Sequence, residues 1–288
     1  MTLVRPVGAF VLVGGLLSVS PAGQTQAPAP ARKHVLAWAD VRSGYQHDSI
    51  SHALATIERL GRESGAFDTI IRTDSQPITR REITFRTGTG IATGEQFLAR
   101  NLNYFDAIFF FGVREIELTD DQRADLMAFI RDDGKGFVAA HSGATAFFSW
   151  PEFGQMLGGR FDEHPWGITD ATVVLDDPRF PATRHFPARV TLNDEFYQVK
   201  EFSRDSVRVL AHLDTASLDL KQPLVHRSDG DFAVAWAKTH GKGRVFYSIL
   251  GHSAESWDNP VVNQMYVQAL RWAMRLEDAD LTPIPRRR

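Results

Sequence analysis

The chain has 288 residues, a formal net charge of −3, 43 % apolar residue types and no cysteine. Its length and apolar share support one large packed domain, and the absence of a basic stripe argues against nucleic acid as a partner. Without cysteine there are no disulfides, zinc–thiolate sites, cysteine nucleophiles or thiol-linked lipids, which suits an oxidising compartment. Residues 1–22 read as a signal peptide. Arg5 gives a positive start, Val7 to Val19 is an apolar run too short to span a bilayer, and Ser20-Pro21-Ala22 is a small-x-small cleavage site. The alternative for that segment is a retained membrane anchor. The expected location is periplasmic or secreted, with no membrane insertion after cleavage. Residues 23–33 form a Pro/Ala linker, 34–277 the domain, and 278–288 a polar tail expected to be disordered.

Within the domain, HVLAWA (34–39) predicts a first strand, and Asp48 or Ser49 caps a helix carrying Ile50, Leu54, Ile57 and Leu60. A strand is expected at Phe67 to Arg72, a short helix at Glu95 to Leu102, and a doubly buried strand at Phe105 to Phe111. Thr119 caps the next helix, which ends at Gly134 and leads into the strand of GFVAAHSGATAF (136–147). Alternating strands and helices argue for a doubly wound, mainly parallel α/β sheet, whose sites lie beyond the carboxyl ends of the strands. The second half reads as β-rich, with strands at Ala171 to Leu175, Arg189 to Leu192, Glu195 to Val199, Val207 to Leu213 and Ala233 to Lys238. A hairpin at KTHGKGRVFYSILG and a terminal helix from Asn259 to Leu276 follow.

Five places carry candidate chemistry. The HSGA turn offers His141 and Ser142; small-x-Ser-x-small loosely matches a nucleophile elbow, with Asp194 and His252 downstream to complete a Ser–Asp–His order. No HGG-type oxyanion loop precedes it. FDEHPW places His164 in a loop before Pro165, and NDEFY places Asp194 and Glu195 side by side, so that only one of them faces a given side of a strand. LGHSAESW sets His252 just past a strand, with Trp257 available to stack on a sugar; His47 lies in the loop after the first strand. Neutral imidazoles with a carboxylate suit a divalent ion such as zinc, for which His141, His252 and Glu195 are the candidate ligands. The same groups suit metal-free acid–base work.

GYQHDSI, GKGFVAAHSGATAF, LGGRFDEHP, DEFY and GKGRVFYSILGHSAESW, in that order, resemble the ThuA-like family, named for trehalose utilisation, over nearly all of 34–276. The resemblance implies a class I glutamine amidotransferase-like, flavodoxin-like fold. Amidotransferases keep a cysteine at the turn where this chain has HSGA, so glutamine hydrolysis by that route is excluded here. It also implies a small carbohydrate as partner, notably disaccharides and their 3-keto derivatives, and site positions His47, His141, His164, His252 and Asp194-Glu195. The expected function is an exported carbohydrate-processing protein acting on a glycoside or keto-sugar by hydrolysis, elimination or isomerisation. His141, Glu195, Asp194 and His252 would be catalytic, and His47, Ser142, His164 and Trp257 would bind substrate. The alternatives are a non-catalytic sugar-binding or scaffold domain using the tryptophans, and a serine hydrolase using Ser142.

Overall fold

The computed structural model describes residues 1–2, 32–42, 45–86, 96–112 and 114–286. The expected leader and linker, 1–22 and 23–33, fall almost wholly outside the described residues. The HVLAWA run becomes β1 (Lys33–Trp38), with Val35 to Trp38 buried. The stripe Ile50, Ala53, Leu54, Ile57 and Leu60 buries one face of α1 (Ile50–Ser64), which Gly65 closes in the left-handed conformation at φ 66°. After β2 (Phe67–Arg72), β3 (Ile83–Arg86) and β4 (Gln96–Ala99) pair antiparallel as a separate ribbon. That pairing corrects the helix expected at Glu95 to Leu102, of which Glu95 lies outside the described residues. A short apolar run does not distinguish helix from strand by period alone.

Next come β5 (Ala107–Phe110), α2 (Asp120–Arg131) and β6 (Gly136–Ala140). Thr119 and Gln122 form the capping box that starts α2. Then follow α3 (Pro151–Leu157), β7 (Arg160–Glu163), β8 (Ile168–Leu175), β9 (Arg189–Glu195), β10 (Gln198–Lys200) and β11 (Arg208–Leu213). The chain ends with β12 (Ala233–His240), β13 (Gly243–Ser248), α4 (Ala254–Asp258) and α5 (Pro260–Ala273). Residues 161–163 of FDEHPW belong to β7, which pairs antiparallel with β10, and His164 lies in the loop that follows, as expected.

Among the described residues the central sheet has nine strands in the order β2-β1-β5-β6-β13-β12-β11-β8-β9. The first five run parallel; each later neighbour is antiparallel. Trp38 pairs with Phe110, Phe110 with Ala139, and Ala140 with Ser248. The chain therefore leaves β1, β5, β6 and β13 at one rim. Four antiparallel steps separate β13 from β9, so β9 runs in the same direction and ends, at Glu195, toward that rim. Helices α1, α4 and α5 pack together, and α5 lies on β6, where Ala273 approaches so closely that a Cβ at Gly136 would meet its methyl at 2.8 Å. No helix among the described residues is long and apolar enough to cross a membrane.

The start of the C-terminal tail is docked, which corrects the expected disorder there. Buried Arg208 donates to Asp280 Oδ2 (3.0 Å) and to the Thr282 carbonyl (2.7 Å), while Ala279 and Leu281 pack on the core.

Candidate metal centre

His141 is the first residue after β6, and its backbone sits at φ 42°, a left-handed conformation that non-glycine residues seldom adopt. The Tyr247 hydroxyl donates to the His141 carbonyl (2.7 Å) and holds this turn. Gly143 packs closely behind it: a Cβ there would stand 3.1 Å from that of Ala139. The sharp corner thus presents an imidazole, although His141 is fully buried. Its Nδ1–H donates to the Ile249 carbonyl (2.7 Å), which leaves Nε2 as an acceptor; the Tyr197 hydroxyl donates to Nε2 at 2.7 Å.

His252 follows β13 through Gly251, whose φ of 122° admits the turn. Glu195 closes β9. The three donor atoms form a nearly equilateral triangle: His141 Nε2 to His252 Nδ1 3.2 Å, His141 Nε2 to Glu195 Oε2 3.4 Å, and His252 Nδ1 to Glu195 Oε2 3.1 Å. His47, from the loop after β1, stands edge-on to both imidazoles, with ring centroids 4.8 Å from His141 and 5.0 Å from His252. Each of the four residues offers a ligand atom, and these atoms lie within 4.8 Å of one another. Ser49, at the N-terminus of α1, spends its hydroxyl on the Gly251 and His252 carbonyls (3.2 and 2.8 Å) rather than on a helix cap. That ties the His47 loop to the His252 loop.

Burial, reinforced by His141 and His252, lowers the His47 pKa to about 3, against the weaker opposing pull of Glu195. Burial alone would raise Glu195, but hydrogen bonds to His141 and His252 outweigh it and hold the carboxyl far below its ordinary range. The hydrogen bond to Glu195 raises His252 despite burial. Burial, then the charge of Glu195, pushes Tyr197 well above the ordinary phenol value, so it remains a donor.

These residues fit a divalent ion. Donors bound to one zinc-like ion at about 2.0–2.2 Å stand about 3.0–3.5 Å apart, which is the spacing of the triangle. A carbonyl on the far nitrogen of His141 fixes its tautomer, as is usual for ligating histidines. Nδ1 of His47 is buried with no hydrogen-bond partner among the described residues.

The structure therefore brings His47, His141, Glu195 and His252 together and leaves other candidates out. Asp194 is 2 % exposed and its carboxylate accepts from the backbone N–H groups of Glu195 (2.8 Å), Gly251 (2.9 Å) and His252 (3.0 Å) and from Ser256 Oγ (2.6 Å). It ties β9 to the loop after β13 and does not enter the site. Ser142 is buried and donates to the Gly112 carbonyl, so the Ser142–Asp194–His252 order is not a triad. Trp257 is wholly buried, stacked on Tyr266 and bonded to the Gly251 carbonyl (2.9 Å), so it offers no face to a sugar. Trp38, Trp150 and Trp236 are likewise core residues. His164 lines the rim of a cleft of about 530 Å³ that also opens onto His47, Glu195, Tyr197 and His252. Sequence reasoning missed Tyr197, which lies in the two-residue link between β9 and β10, where no strand alternation signals its side.

The imidazole–carboxylate cluster lies at the strand ends of a mixed α/β sheet, where binding crevices of such sheets are found. The sequence matches the ThuA family, described as trehalose utilisation, over residues 34–273, and the chain belongs to that family. Similar solved structures include a ThuA-like protein from Bacteroides uniformis, 23 % identical with a TM-score of 0.66 over 87 % of this chain and 95 % of that one. Another, from Parabacteroides merdae, is 14 % identical with a TM-score of 0.58 over 87 % and 92 %. No curated protein matches the chain.

Proposed function

We propose that this protein is an exported carbohydrate-processing enzyme whose reaction centre is a divalent-ion site made by His141, His252 and Glu195, with His47 as the fourth donor. The donor triangle of 3.1–3.4 Å carries the proposal. Membership of a family tied to trehalose utilisation supports a sugar as substrate, and residues 1–22 support export.

A bound divalent ion supplies Lewis-acid polarisation of a sugar carbonyl or hydroxyl oxygen. The chain's own residues do the rest. Glu195 stays ionised and His47 stays neutral, so both can offer lone pairs at neutral pH. Tyr197 keeps its proton, which His141 Nε2 holds in the ion-free site; an ion taking the Nε2 lone pair would free it for an oxygen developing negative charge. Glycosides and keto-sugars both present such an oxygen, which suits hydrolysis, elimination or isomerisation. The test is metal analysis and turnover of 3-keto-disaccharides, with and without chelator. About one ion per chain and chelator-sensitive turnover, both lost in His141→Ala, are expected. A folded protein that takes up no zinc, manganese or iron and turns over nothing would sink the proposal.

A further inference from the structure

We infer that Tyr197 is a displaceable cap on the ion site: its hydroxyl occupies the lone pair that His141 offers to an ion, so that loading must displace it, and the displaced hydroxyl turns to the cleft as a donor to the ligand there. This rests on the ion-site reading above. It adds the residue that sets ion affinity and couples loading to ligand binding.

The tautomer of His141 carries the inference. Nδ1–H is committed to the Ile249 carbonyl at 2.7 Å, so the neutral ring has a single lone pair, on Nε2. Tyr197 donates to that lone pair at 2.7 Å, closer than His252 Nδ1 at 3.2 Å or Glu195 Oε2 at 3.4 Å. The same Nε2 is a corner of the donor triangle. It cannot serve the phenol and an ion at once, so the hydrogen bond lost on loading lowers ion affinity by its own worth.

Displacement requires only that the O–H turn about its C–O bond. The Tyr197 ring stays packed between His141 and Phe161, with ring centroids 4.3 and 4.7 Å away. The next residue, fully buried Gln198, is anchored to Asp162 (2.9 Å), to the Leu224 carbonyl (2.8 Å) and to the His226 N–H (3.0 Å). Tyr197 is 2 % exposed and lines the cleft. A hydroxyl in that position is costly to leave unpaired, and an oxygen of a ligand seated over the cluster satisfies it. Tyr247 gives the contrast. Its hydroxyl also donates to His141, at 2.7 Å, but to the backbone carbonyl, which is not a member of the cluster.

The experiment is zinc titration against a competing chromophoric chelator for wild type, Tyr197→Phe and Tyr247→Phe. Phenylalanine at 197 keeps the ring and removes the cap, so zinc should bind about five- to tenfold more tightly. Tyr247→Phe should bind it no more tightly than wild type. In the ultraviolet difference spectrum, zinc should produce a tyrosine band in wild type and Tyr247→Phe that Tyr197→Phe lacks, which reads the displacement without any variant at the cap having to fold. Zinc-saturated Tyr197→Phe should lose about a hundredfold in kcat on 3-keto-disaccharides. A tighter site in a slower enzyme is the combination that a merely structural residue does not give. Unchanged or weaker zinc binding in Tyr197→Phe overturns the cap, as does a wild type without the tyrosine band; the ion-site reading stands in each case. Tighter binding with undiminished kcat, or a zinc-loaded wild type inert on these sugars, overturns the turn toward the ligand. If no zinc is taken up by any of the three proteins, the ion-site reading falls and the cap with it.

Discussion

Acidification should unfold the metal-free protein largely through His47. In the fold this imidazole stays neutral down to about pH 3, against an ordinary value of 6.5 in the unfolded chain. Between those values the unfolded chain binds a proton that the folded chain refuses, so stability falls as pH falls. At about 1.4 kcal/mol per pH unit, the window from about pH 6.5 to about pH 4 corresponds to roughly 3 kcal/mol. The ring is only partly buried, and water screening reduces the expectation to about 2 kcal/mol. Glu195 adds to the trend, because its depressed pKa gives stability that is present above its ordinary value of 4.5 and is lost on acidification below it. His252 works the other way. Its raised pKa gives stability complete below its ordinary value of 6.5 and lost as pH rises through the folded value. Urea unfolding in chelator across this window, for wild type and His47→Gln, isolates the first contribution. The variant cannot titrate at that position and should lose about 2 kcal/mol less than wild type. Equal losses in the two proteins would refute the reasoning.

Two further outcomes follow from the same geometry. Zinc at a hundredfold excess over its Kd should raise the unfolding free energy of wild type by about 2.7 kcal/mol, and Glu195→Gln should abolish that gain while remaining folded, which chemical denaturation with and without zinc will show. Asp194→Ala should lower stability by about 3 kcal/mol in urea, because it strands the buried donors of Gly251, His252 and Ser256. By loosening His252 and Glu195 it should also weaken zinc binding about tenfold to a hundredfold in a competition titration.

The parallel half of the sheet was legible because its strands are buried on both faces and read as unbroken apolar runs, as in AIFF of β5 and GFVAA of β6. α2 was legible through its capping box. The short elements β3, β4, β7 and α4 were not, since a run of four or five residues carries too little period to outweigh its tertiary partner. At the site, alternation showed that Asp194 and Glu195 must face different ways, but the choice depends on Gly251 and His252, which lie 57 and 58 residues further on. The HSGA turn posed a similar choice. The left-handed backbone falls on His141, so the imidazole meets Tyr197 and His252 while the next side chain turns back to Gly112. Trp257 looked available because the sequence cannot show that its ring covers Gly251, where even a Cβ would come within 2.9 Å.

The donor triangle can serve either a proton or an ion, and the fold distinguishes the two through His47. In the proton state His252 keeps its hydrogen for Glu195 Oε2 at 3.1 Å, while the lone pair of His141 Nε2 takes the Tyr197 proton at 2.7 Å. That state satisfies those three residues and leaves Nδ1 of His47 buried without a partner among the described residues, at a cost of about 1–3 kcal/mol. A proton cannot relieve that cost, since burial and the neighbouring imidazoles already keep His47 neutral. An ion would draw a lone pair from each of the four side chains at once, His47 included. His47 would therefore bias the cluster toward the ion, and protons would compete for the same donor atoms as pH falls.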